Sequence, residues 1–387
     1  MPLPYWRLSG YYFFYFAFVG AFSPYFGLYL QSLSFSAWDI GLLMSQMQLM
    51  RLVGPYAWGW LADRGHGRVG IVRLAGGISF LGFLAFFWLD RLEPMLAAMA
   101  ILAFFWSAAL PLVETLTFDH LKGQPGRYGR IRLWGSVGFI IAVLGTGALL
   151  DWVPEEALLW VCALILAGIL LFSLLLPEAS PRPCPGVQPP VGRILAQPRV
   201  RALLAACFAM SAAHGAYYIF YSIHLAAHGY SKSEVGLLWS LGVLAEILIF
   251  LLMPRLTRWL GARQILLISF AAAVLRFMLM GWGVDWLVLV LLGQVLHALT
   301  FGSYHAAAIA AVNHWFPGNS QARGQALYSS MSFGAGGLLG GLISGWIWDG
   351  AGAGWVFTLS ALFALLGWWL VWRWVKGEGV SREGGPV

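Results

Sequence analysis

The sequence predicts an all-α membrane protein with twelve transmembrane helices in two six-helix bundles. Three observations lead to this prediction. Only 10% of the 387 residues are charged, whereas soluble domains carry about 25% because their surface faces water. Apolar runs of about 20 residues, the length that crosses a bilayer as a helix, recur along the whole chain. Two sequence patterns also recur at one fixed offset, which indicates that the two halves are related.

Twelve apolar runs are long enough to form membrane spans. The first six begin near Leu8, Ile40, Val69, Pro94, Leu133 and Leu158, and the second six begin near Ala202, Val235, Gln264, Trp286, Gly324 and Trp355. The segment that separates them, 177–198, holds seven prolines and cannot continue a helix. We therefore expect an N-terminal bundle at 1–176, a cytoplasmic linker at 177–198 and a C-terminal bundle at 199–387.

Lysine and arginine are concentrated in one set of alternating loops, and this bias predicts the orientation of the chain. The residues concerned are Arg64, Arg68, Arg73, Lys122, Arg127, Arg130, Arg132, Arg182, Arg193, Arg199, Arg201, Arg255, Arg258, Arg263, Arg373, Lys376 and Arg382. The opposite loops offer only Arg91 and Lys232, beside several acidic residues. Because cytoplasmic loops carry the excess of positive charge, we expect both termini in the cytoplasm of a bacterial inner membrane. The formal charge of +7 is thus assigned to loops and not to a nucleic-acid groove.

The two halves share sequence at a constant offset. Ile40–Ser45 matches Val235–Ser240, and Gly41 and Gly236 in these segments are 195 residues apart. Gly129 and Gly324, before the fifth and eleventh spans, keep the same offset. Six-helix halves in the same orientation are parallel repeats, and transporters built from such repeats bind their substrate near the bilayer midplane, at the repeat interface.

Two sets of motifs resemble those of known transporters. Gly59–Arg68, with the sequence GWLADRGHGR, resembles the loop signature of the major facilitator superfamily, and this resemblance extends over nearly the whole chain. Tyr128–Ser136 (YGRIRLWGS) and Arg323–Tyr328 (RGQALY) resemble the phenylpropionate permease group, which is similar to the lactose and nucleoside proton symporters. The resemblance implies the major facilitator fold, a monomer, a small solute and protons as partners, and no cofactor.

The loop signature also has a physical interpretation as a gate. Gly59, Asp63 and Arg64 lie where the second span is expected to reach the cytoplasm. The charge of Asp63 can contact the N-terminus of a neighbouring helix or Arg64, and would then hold two cytoplasmic helix ends together in one conformation. The alternative is a solvated turn, and the preference for a gate depends largely on the resemblance.

Ionisable side chains within the spans are candidates for function, because each costs at least a few kcal/mol in the bilayer. Four of them lie near the middle of a span: Arg51, Glu246, Arg276 and His297. We expect Arg51 and Arg276 to bind substrate and Glu246 to carry a coupling proton, with His297 taking part in both. Arg51 and Glu246 are again 195 residues apart. The alternative is that these charges form static pairs that fix helix packing.

A second charged pair, Glu114 and Arg132, lies closer to the cytoplasm. Together with Glu246, Arg276 and His297, it resembles the charged residues of the lactose permease, which bind sugar and carry the coupling proton. The resemblance fails at Thr300, since that permease has a carboxylate in this neighbourhood. The sequence leaves open whether Glu114 and Arg132 bind substrate or form a structural tie.

Aromatic residues suggest the class of solute. The family resemblance implies that the first, fourth, seventh and tenth spans line the cavity, and we expect Tyr25, Tyr29, Tyr217 and Tyr221 to face it. Aromatic walls beside an arginine suit a planar carboxylate, because rings supply apolar stacking area and a guanidinium binds both carboxylate oxygens. The run at 11–16 is expected to face lipid and neighbouring helices.

These features favour a proton-coupled importer of a small organic solute, in particular an aromatic carboxylic acid, that works by alternating access. A sugar or nucleoside symporter and a multidrug exporter are the alternatives. The three cysteines lack metal-ligand spacing, and the chain has no HExxH motif and no ATP-binding motif. An enzyme, a receptor and a metal site are therefore not expected.

Overall fold

The computed structural model describes residues 3–63, 67–121, 125–179 and 191–375, and the regular structure within these ranges is helical. The first helices are α1 (Tyr5–Ser32), α2 (Ala37–Asp63), α3 (Arg68–Leu84), α4 (Leu92–Leu121), α5 (Tyr128–Leu150), α6 (Ala157–Leu175) and α7 (Gly192–Leu195). The later helices are α8 (Pro198–Ala227), α9 (Lys232–Trp282), α10 (Leu287–Val295), α11 (Tyr304–Trp315), α12 (Gln321–Ser329), α13 (Gly337–Ala351) and α14 (Ala353–Trp374). Two π-helical segments, Ala298–Ser303 and Ser330–Gly336, lie before α11 and before α13.

The helices account for the twelve predicted spans. Within the described ranges, ten helical segments are long and apolar enough to cross a membrane. One of them, α9, has 51 residues and as a straight helix would be about 77 Å long, more than twice the thickness of a hydrocarbon core. Its Gly261 has φ 71° and ψ 160°, so the helix kinks there and corresponds to two predicted spans. Counting α9 as two spans and adding α2 to the ten segments gives the twelve predicted spans.

Contacts between residues group the chain into two compact units. The first unit comprises Met1–Pro185, Gly215–Ser240 and Gly337–Ala353, and the second comprises Gly186–His214, Leu241–Gly336 and Gly354–Val387. The predicted bundle boundary at the linker stays a prediction, because residues 180–190 lie outside the described residues.

A cluster of phenylalanines fills the core of the first unit. The rings of Phe18, Phe22 and Phe26 stack along one face of α1, with centroids 5.1 Å and 4.3 Å apart. Phe83 and Phe86, at the end of α3, meet them edge-on. All five side chains are buried, and this core fixes the face of α1 that borders the candidate site described below.

Two helix contacts in the first unit each place an aspartate at the start of another helix. The carboxylate of Asp151, just after α5, accepts hydrogen bonds from the backbone N–H groups of Lys232 (2.8 Å) and Ser233 (3.1 Å) in α9. The carboxylate of Asp349 in α13 accepts one from the backbone N–H of Ala37 (3.1 Å) in α2. The first N–H groups of a helix lack intrahelical partners, and a negative charge there is stabilised by the helix dipole.

Charge reinforces the contact at the start of α9. The Nζ atom of Lys232 lies 3.0 Å from Oε1 of Glu155, in the loop after α5. Desolvation opposes ionisation of Asp151, but hydrogen bonds from Ser233 and Lys232 and the charge of Lys232 hold its pKa below the ordinary value. Asp151 therefore stays ionised, and able to cap the helix, over the whole range of physiological pH.

Arginines cap helix C-termini in both units. Arg73 of α3 donates hydrogen bonds to the backbone carbonyls of Ser173 (3.3 Å), Leu174 (3.0 Å) and Leu176 (3.1 Å), where α6 ends. In the second unit, Arg263 donates to the carbonyls of Val375 (2.6 Å) and Trp372 (3.1 Å), where α14 ends. The last carbonyls of a helix have no intrahelical partner, so each guanidinium supplies the hydrogen-bond donors that these carbonyls lack.

Candidate substrate and proton sites

The first unit contains a cavity of about 70 Å³ bordered by α1, α2, α4, α8 and α13. Most of the side chains that line it are apolar or aromatic. The lining residues are Phe18, Val19, Phe22, Ser23, Met44, Met47, Gln48, Arg51, Trp106, Gly215, Tyr218, Ile219 and Gly337. An apolar pocket with a few convergent polar groups is the usual form of a small-molecule site.

Arg51 supplies the charge of this cavity. Its Nη1 atom donates a hydrogen bond to Oε1 of Gln48, one turn earlier on α2, at 3.2 Å. In the described part of the chain no carboxylate lies within ion-pair distance of the Arg51 guanidinium, which is half-buried. A guanidinium carries five N–H donors, so most of its donors are available to a bound anion. Arg51 thus lines the cavity with donors to spare, and its role in substrate binding stays a prediction.

Aromatic rings form a wall of the same cavity. Trp106 of α4 stacks face to face on Tyr15, with centroids 4.5 Å apart and planes 8° apart. Phe18 meets Trp106 at 5.9 Å and 52°, and stacks in turn on Phe22. Tyr218 lines the cavity from α8. The site therefore combines one guanidinium with flat apolar surfaces.

The second unit buries Arg276 within a polar cluster. Arg276 is 0% exposed, and its Nε atom donates to the carbonyl of Gly293 at 2.9 Å. Its Nη1 atom lies 3.2 Å from Nε2 of His214 and 3.3 Å from Oγ1 of Thr300. A buried charge needs several such partners to offset its lost hydration. His214 was not among the predicted site residues, and Thr300 entered the sequence analysis only as a departure from the lactose permease.

The neighbours of His214 determine its protonation state. Its Nδ1 atom lies 2.8 Å from the carbonyl oxygen of Met210, which can only accept, so Nδ1 carries the hydrogen. Its Nε2 atom faces the N–H groups of Arg276, which can only donate, so Nε2 must be without a hydrogen. His214 is therefore a neutral imidazole that orients the guanidinium of Arg276.

The predicted proton-coupling residues lie together in the second unit. Oε2 of Glu246 and Nε2 of His297 are 3.9 Å apart. His297 stands directly before the π-helical segment Ala298–Ser303, and such segments are frequent at functional sites. The ring of His297 lies 6.2 Å from that of His214, so the structure brings Glu246, His297 and the Arg276 cluster into one neighbourhood.

Glu114 and Arg132 lie in the first unit but form no ion pair with each other within 4 Å, as far as the structure describes the chain. The hydroxyl of Tyr128 donates to Oε1 of Glu114 at 3.2 Å. The guanidinium carbon of Arg132 lies 3.7 Å from the centroid of the Phe16 ring, which is a cation–π contact. Neither charged residue lines the cavity around Arg51, so their predicted role in substrate binding stays a prediction.

The four predicted tyrosines are buried but do not line the cavity around Arg51. The hydroxyl of Tyr25 bonds to the carbonyls of Val143 (2.8 Å) and Lys232 (3.1 Å) and thereby joins α5 to α9. Tyr217 and Tyr221 pack together, with ring centroids 5.1 Å apart, and Tyr29 packs on Phe26. Their role in binding a solute stays a prediction.

Sequence reasoning missed Gln48, Trp106 and Tyr218 as lining residues of the cavity. One signal was present, since the resemblance placed the first, fourth and seventh spans at the cavity. Trp106 lies in the fourth span and Tyr218 is the direct neighbour of the predicted Tyr217. One residue along a helix turns a side chain by about 100°, so spacing in the sequence did not select the correct face.

The predicted gate lies mostly outside the described residues. Gly59 is half-buried near the end of α2, and Asp63 is the last residue of this helix. Arg64 and the side chain of Asp63 are not described, so the gate stays a prediction.

In the described ranges no group of three or more His, Cys, Asp or Glu side chains is placed to hold a metal ion, and the free cysteines Cys162 and Cys207 are buried.

Comparison with known proteins assigns the fold to a family. A family model described as the MFS_1 like family matches residues 5–359. The chain belongs to this family. The resemblance of its motifs to those of the major facilitator superfamily is thereby confirmed, and this MFS_1-like protein is a multi-pass membrane transporter and not an enzyme.

Several curated proteins resemble this MFS_1-like chain over most of its length. It is 32% identical over 368 residues to a protein of Escherichia coli (strain K12) named "Probable 3-phenylpropionic acid transporter", covering 93% of this chain and 96% of the relative. It is 25% identical to the maltose permease of Geobacillus stearothermophilus, covering 96% of this chain and 95% of that permease. It is 22% identical to the nucleoside permease NupG of Escherichia coli, covering 81% of this chain and 80% of NupG.

Solved structures confirm the predicted fold class. A crystal structure of a variant of the nucleoside transporter NupG matches with a TM-score of 0.84 at 21% identity, covering 95% of this chain and 98% of that one. The POT family transporter PepTSo matches with a TM-score of 0.78 at 13% identity, covering 96% and 97%. At these identities the likeness shows the fold alone. The MFS_1-like chain thus has the twelve-helix major facilitator fold that the sequence predicted.

Proposed function

We propose that this transporter imports aromatic carboxylic acids together with protons, by alternating access. The observation that carries the proposal is the cavity of the first unit, in which Arg51 and Gln48 lie among aromatic side chains. In this proposal the chain acts as a monomer in the bacterial inner membrane, with both termini in the cytoplasm and no cofactor. The proton gradient supplies the energy.

The cavity suits the two ends of an aryl acid. A guanidinium binds both oxygens of a carboxylate, and such charge-assisted pairs are about twice as strong as neutral hydrogen bonds. Trp106, Phe18 and Phe22 line the cavity and offer apolar area to the ring of the solute. The 32% identity to the relative named for 3-phenylpropionic acid supports the same class of solute.

Proton coupling is assigned to the second unit. Glu246 is an acidic side chain in a long apolar helix, and its carboxylate lies 3.9 Å from the imidazole of His297. A carboxylate beside an imidazole can hold a proton on either group, and nearby charges such as Arg276 favour its release. We therefore assign the coupling proton to Glu246 with His297, and the buried guanidinium of Arg276 to the control of that proton.

Binding of aryl acids is tested with purified protein. A ligand that binds only the folded state raises the melting temperature, so aromatic acids, aliphatic acids, sugars and nucleosides can be ranked without a transport assay. We expect stabilisation by aromatic acids, and a loss of affinity of about 10- to 100-fold in Arg51→Gln, because a charge-assisted contact is removed. Arg130→Gln is the matched control, since Arg130 is exposed and lies outside the cavity.

A nucleoside or sugar is the second candidate solute. The identity to the nucleoside permease NupG and to the maltose permease supports it, and nucleobases also stack on aromatic rings. A neutral nucleoside would nevertheless leave the guanidinium of Arg51 without an anionic partner. Stabilisation by nucleosides or sugars but not by aromatic acids would replace the proposed solute class, and an absence of substrate-induced proton uptake would refute the coupling.

A further inference from the structure

Gln48 is the polar neighbour of the charge in the cavity. Gln48 and Arg51 both line the cavity of the first unit, and they lie three residues apart on α2, a spacing that makes side chains neighbours on one helix face. Nη1 of Arg51 donates a hydrogen bond to Oε1 of Gln48 at 3.2 Å. In the part of the chain that the structure describes, the acceptor for this guanidinium is therefore an amide and not a carboxylate.

The orientation of the Gln48 amide follows from this contact. A guanidinium donates hydrogen bonds and accepts none, so the amide must present its oxygen to Arg51. The first residue of α13, Gly337, packs close to the same side chain and also lines the cavity. A Cβ atom on Gly337 would lie 3.2 Å from Cγ and 3.3 Å from Cδ of Gln48. Gln48 thus packs against α13 and holds one N–H group of Arg51.

The absence of charge on Gln48 matters as much as its oxygen. A carboxylate in its place would form an ion pair with the guanidinium and would compete with the carboxylate of a solute. An apolar side chain would leave the guanidinium unrestrained, and ordering it when a solute binds would then lower the affinity. The amide both orients Arg51 and preserves its charge for the solute.

We propose that Gln48 determines the specificity of this cavity for carboxylates, because its neutral amide positions the Arg51 guanidinium without neutralising it. This inference rests on the proposed function of the cavity as an aryl-acid site. Gln48 acts through Arg51 and is a positioning residue. Its contribution to affinity must therefore disappear when the guanidinium is removed.

The first arm of the experiment is a double-mutant cycle on the purified full chain, with binding of phenylpropionic acid measured by calorimetry. Gln48→Leu removes the acceptor and keeps a side chain of similar size. We expect it to weaken binding about five- to tenfold when Arg51 is present, and by about twofold or less in the Arg51→Gln background. A purely structural role of Gln48 would weaken binding equally in both backgrounds.

Gln46→Leu is the matched control for this cycle. It makes the same substitution two residues away on α2, and Gln46 does not line the cavity. We expect it to leave the affinity for phenylpropionic acid unchanged within about twofold, since no charge-assisted contact to the solute depends on it.

The second arm tests the charge with Gln48→Glu and a pair of ligands of equal size, phenylpropionic acid and its primary amide. We expect wild-type protein to bind the acid about tenfold more tightly than the amide. In Gln48→Glu the new carboxylate pairs with Arg51, so the acid should bind about tenfold more weakly than to wild type, while the amide binds at least as tightly as before. A variant that merely disturbs the fold would weaken both ligands.

Two results would overturn the inference. One is an equal effect of Gln48→Leu with and without Arg51, and the other is a preference for the acid over the amide that Gln48→Glu retains in full. If Gln48→Leu does not fold, Gln48→Glu decides the matter, because it preserves the shape of the side chain.

The proposed function has a separate readout in the same experiment. If Arg51→Gln weakens binding of the acid but the two Gln48 variants do not, the aryl-acid site stands and the role of Gln48 is refuted. If phenylpropionic acid does not bind wild-type protein, the proposed function fails for this acid and the role of Gln48 fails with it.

Discussion

Gly41 of α2 and Gly236 of α9, 195 residues apart, take equivalent places in two close helix contacts of the first unit. A Cβ atom on Gly41 would lie 3.0 Å from Cα of Gly345 in α13, and one on Gly236 would lie 2.8 Å from the carbonyl oxygen of Val143 in α5. The helix starts near these glycines are capped by Asp349 and Asp151 respectively. The internal repeat thus reproduces a whole contact, with its glycine and its aspartate.

The first prediction concerns the α5–α9 contact. Gly236→Ala would place a Cβ within 2.8 Å of backbone and within 2.7 Å of the Tyr25 hydroxyl, so the helices must move apart. We expect a loss of about 1–3 kcal/mol of stability, as for other overpacked sites, measured as a lower melting temperature in detergent. Gly145→Ala on α5 is the control, because nothing lies within 4 Å of a Cβ there. Equal effects of the two variants would contradict the prediction.

The second prediction concerns the charge at the start of α9. Asp151→Asn keeps one acceptor but loses the charge and one of the two hydrogen bonds to Lys232 and Ser233. We expect a loss of about 1 kcal/mol or less, since the site is exposed and screened. Thermal unfolding measures it, with Asp90→Asn, in an exposed loop, as the control. An unchanged melting temperature would show that the cap does not stabilise the fold.

A third prediction follows from the pKa of Asp151. Because this pKa is lower in the folded protein than its ordinary value, the stability it contributes is complete above the unfolded pKa and is lost only as the pH falls through the folded one. Between about pH 5 and pH 8, Asp151 does not titrate. We therefore expect uptake by Asp151→Asn to show the same pH midpoint as wild type. A shifted midpoint would mean that Asp151 takes part in proton coupling.

The fourth prediction concerns Glu246, which we assign to the coupling proton. Glu246→Gln cannot release a proton, so addition of substrate to de-energised cells should no longer raise the external pH, and concentrative uptake should be lost. Exchange of internal for external substrate should persist, because it needs no net proton movement. Glu234→Gln, an exposed glutamate on the same helix, is the control. If proton uptake persists in Glu246→Gln, a residue other than Glu246 carries the coupling proton.

Features that depend on local sequence were predictable. Apolar run length predicted the spans, and the kink at Gly261 lies just before Gln264, where one predicted span begins. Of the glycines at the repeat offset, Gly41 and Gly236 lie in close helix contacts, whereas a Cβ on Gly129 would meet nothing within 4 Å, so the offset alone does not identify a contact. The neighbourhood of Glu246, Arg276 and His297 was predictable in outline, since each is a charged or titratable group deep in an apolar run.

Features that depend on side-chain direction were not predictable. Arg132 packs on Phe16 of α1, with its guanidinium carbon 3.7 Å from the ring centroid, and in the described part of the chain it forms no ion pair with Glu114 within 4 Å. The two π-helical segments add a residue to their turns and thereby rotate the helix that comes after them. A pattern of apolar residues that repeats every 3.6 residues does not reveal this rotation. Among the described residues the indole N–H of Trp106 has no acceptor, which is known only once every neighbour is placed.

Arg73 and Arg263 bear both on the predicted orientation of this protein and on its stability. Each belongs to the arginines from which we predict that orientation, and each also caps the C-terminus of a helix far along the chain. Lysine would preserve the first role but not the second, because one ammonium group cannot reproduce the planar fork of a guanidinium. The topology signal and the folded structure therefore constrain these two positions together, and evolution can exchange arginine for lysine there only at the expense of the folded state.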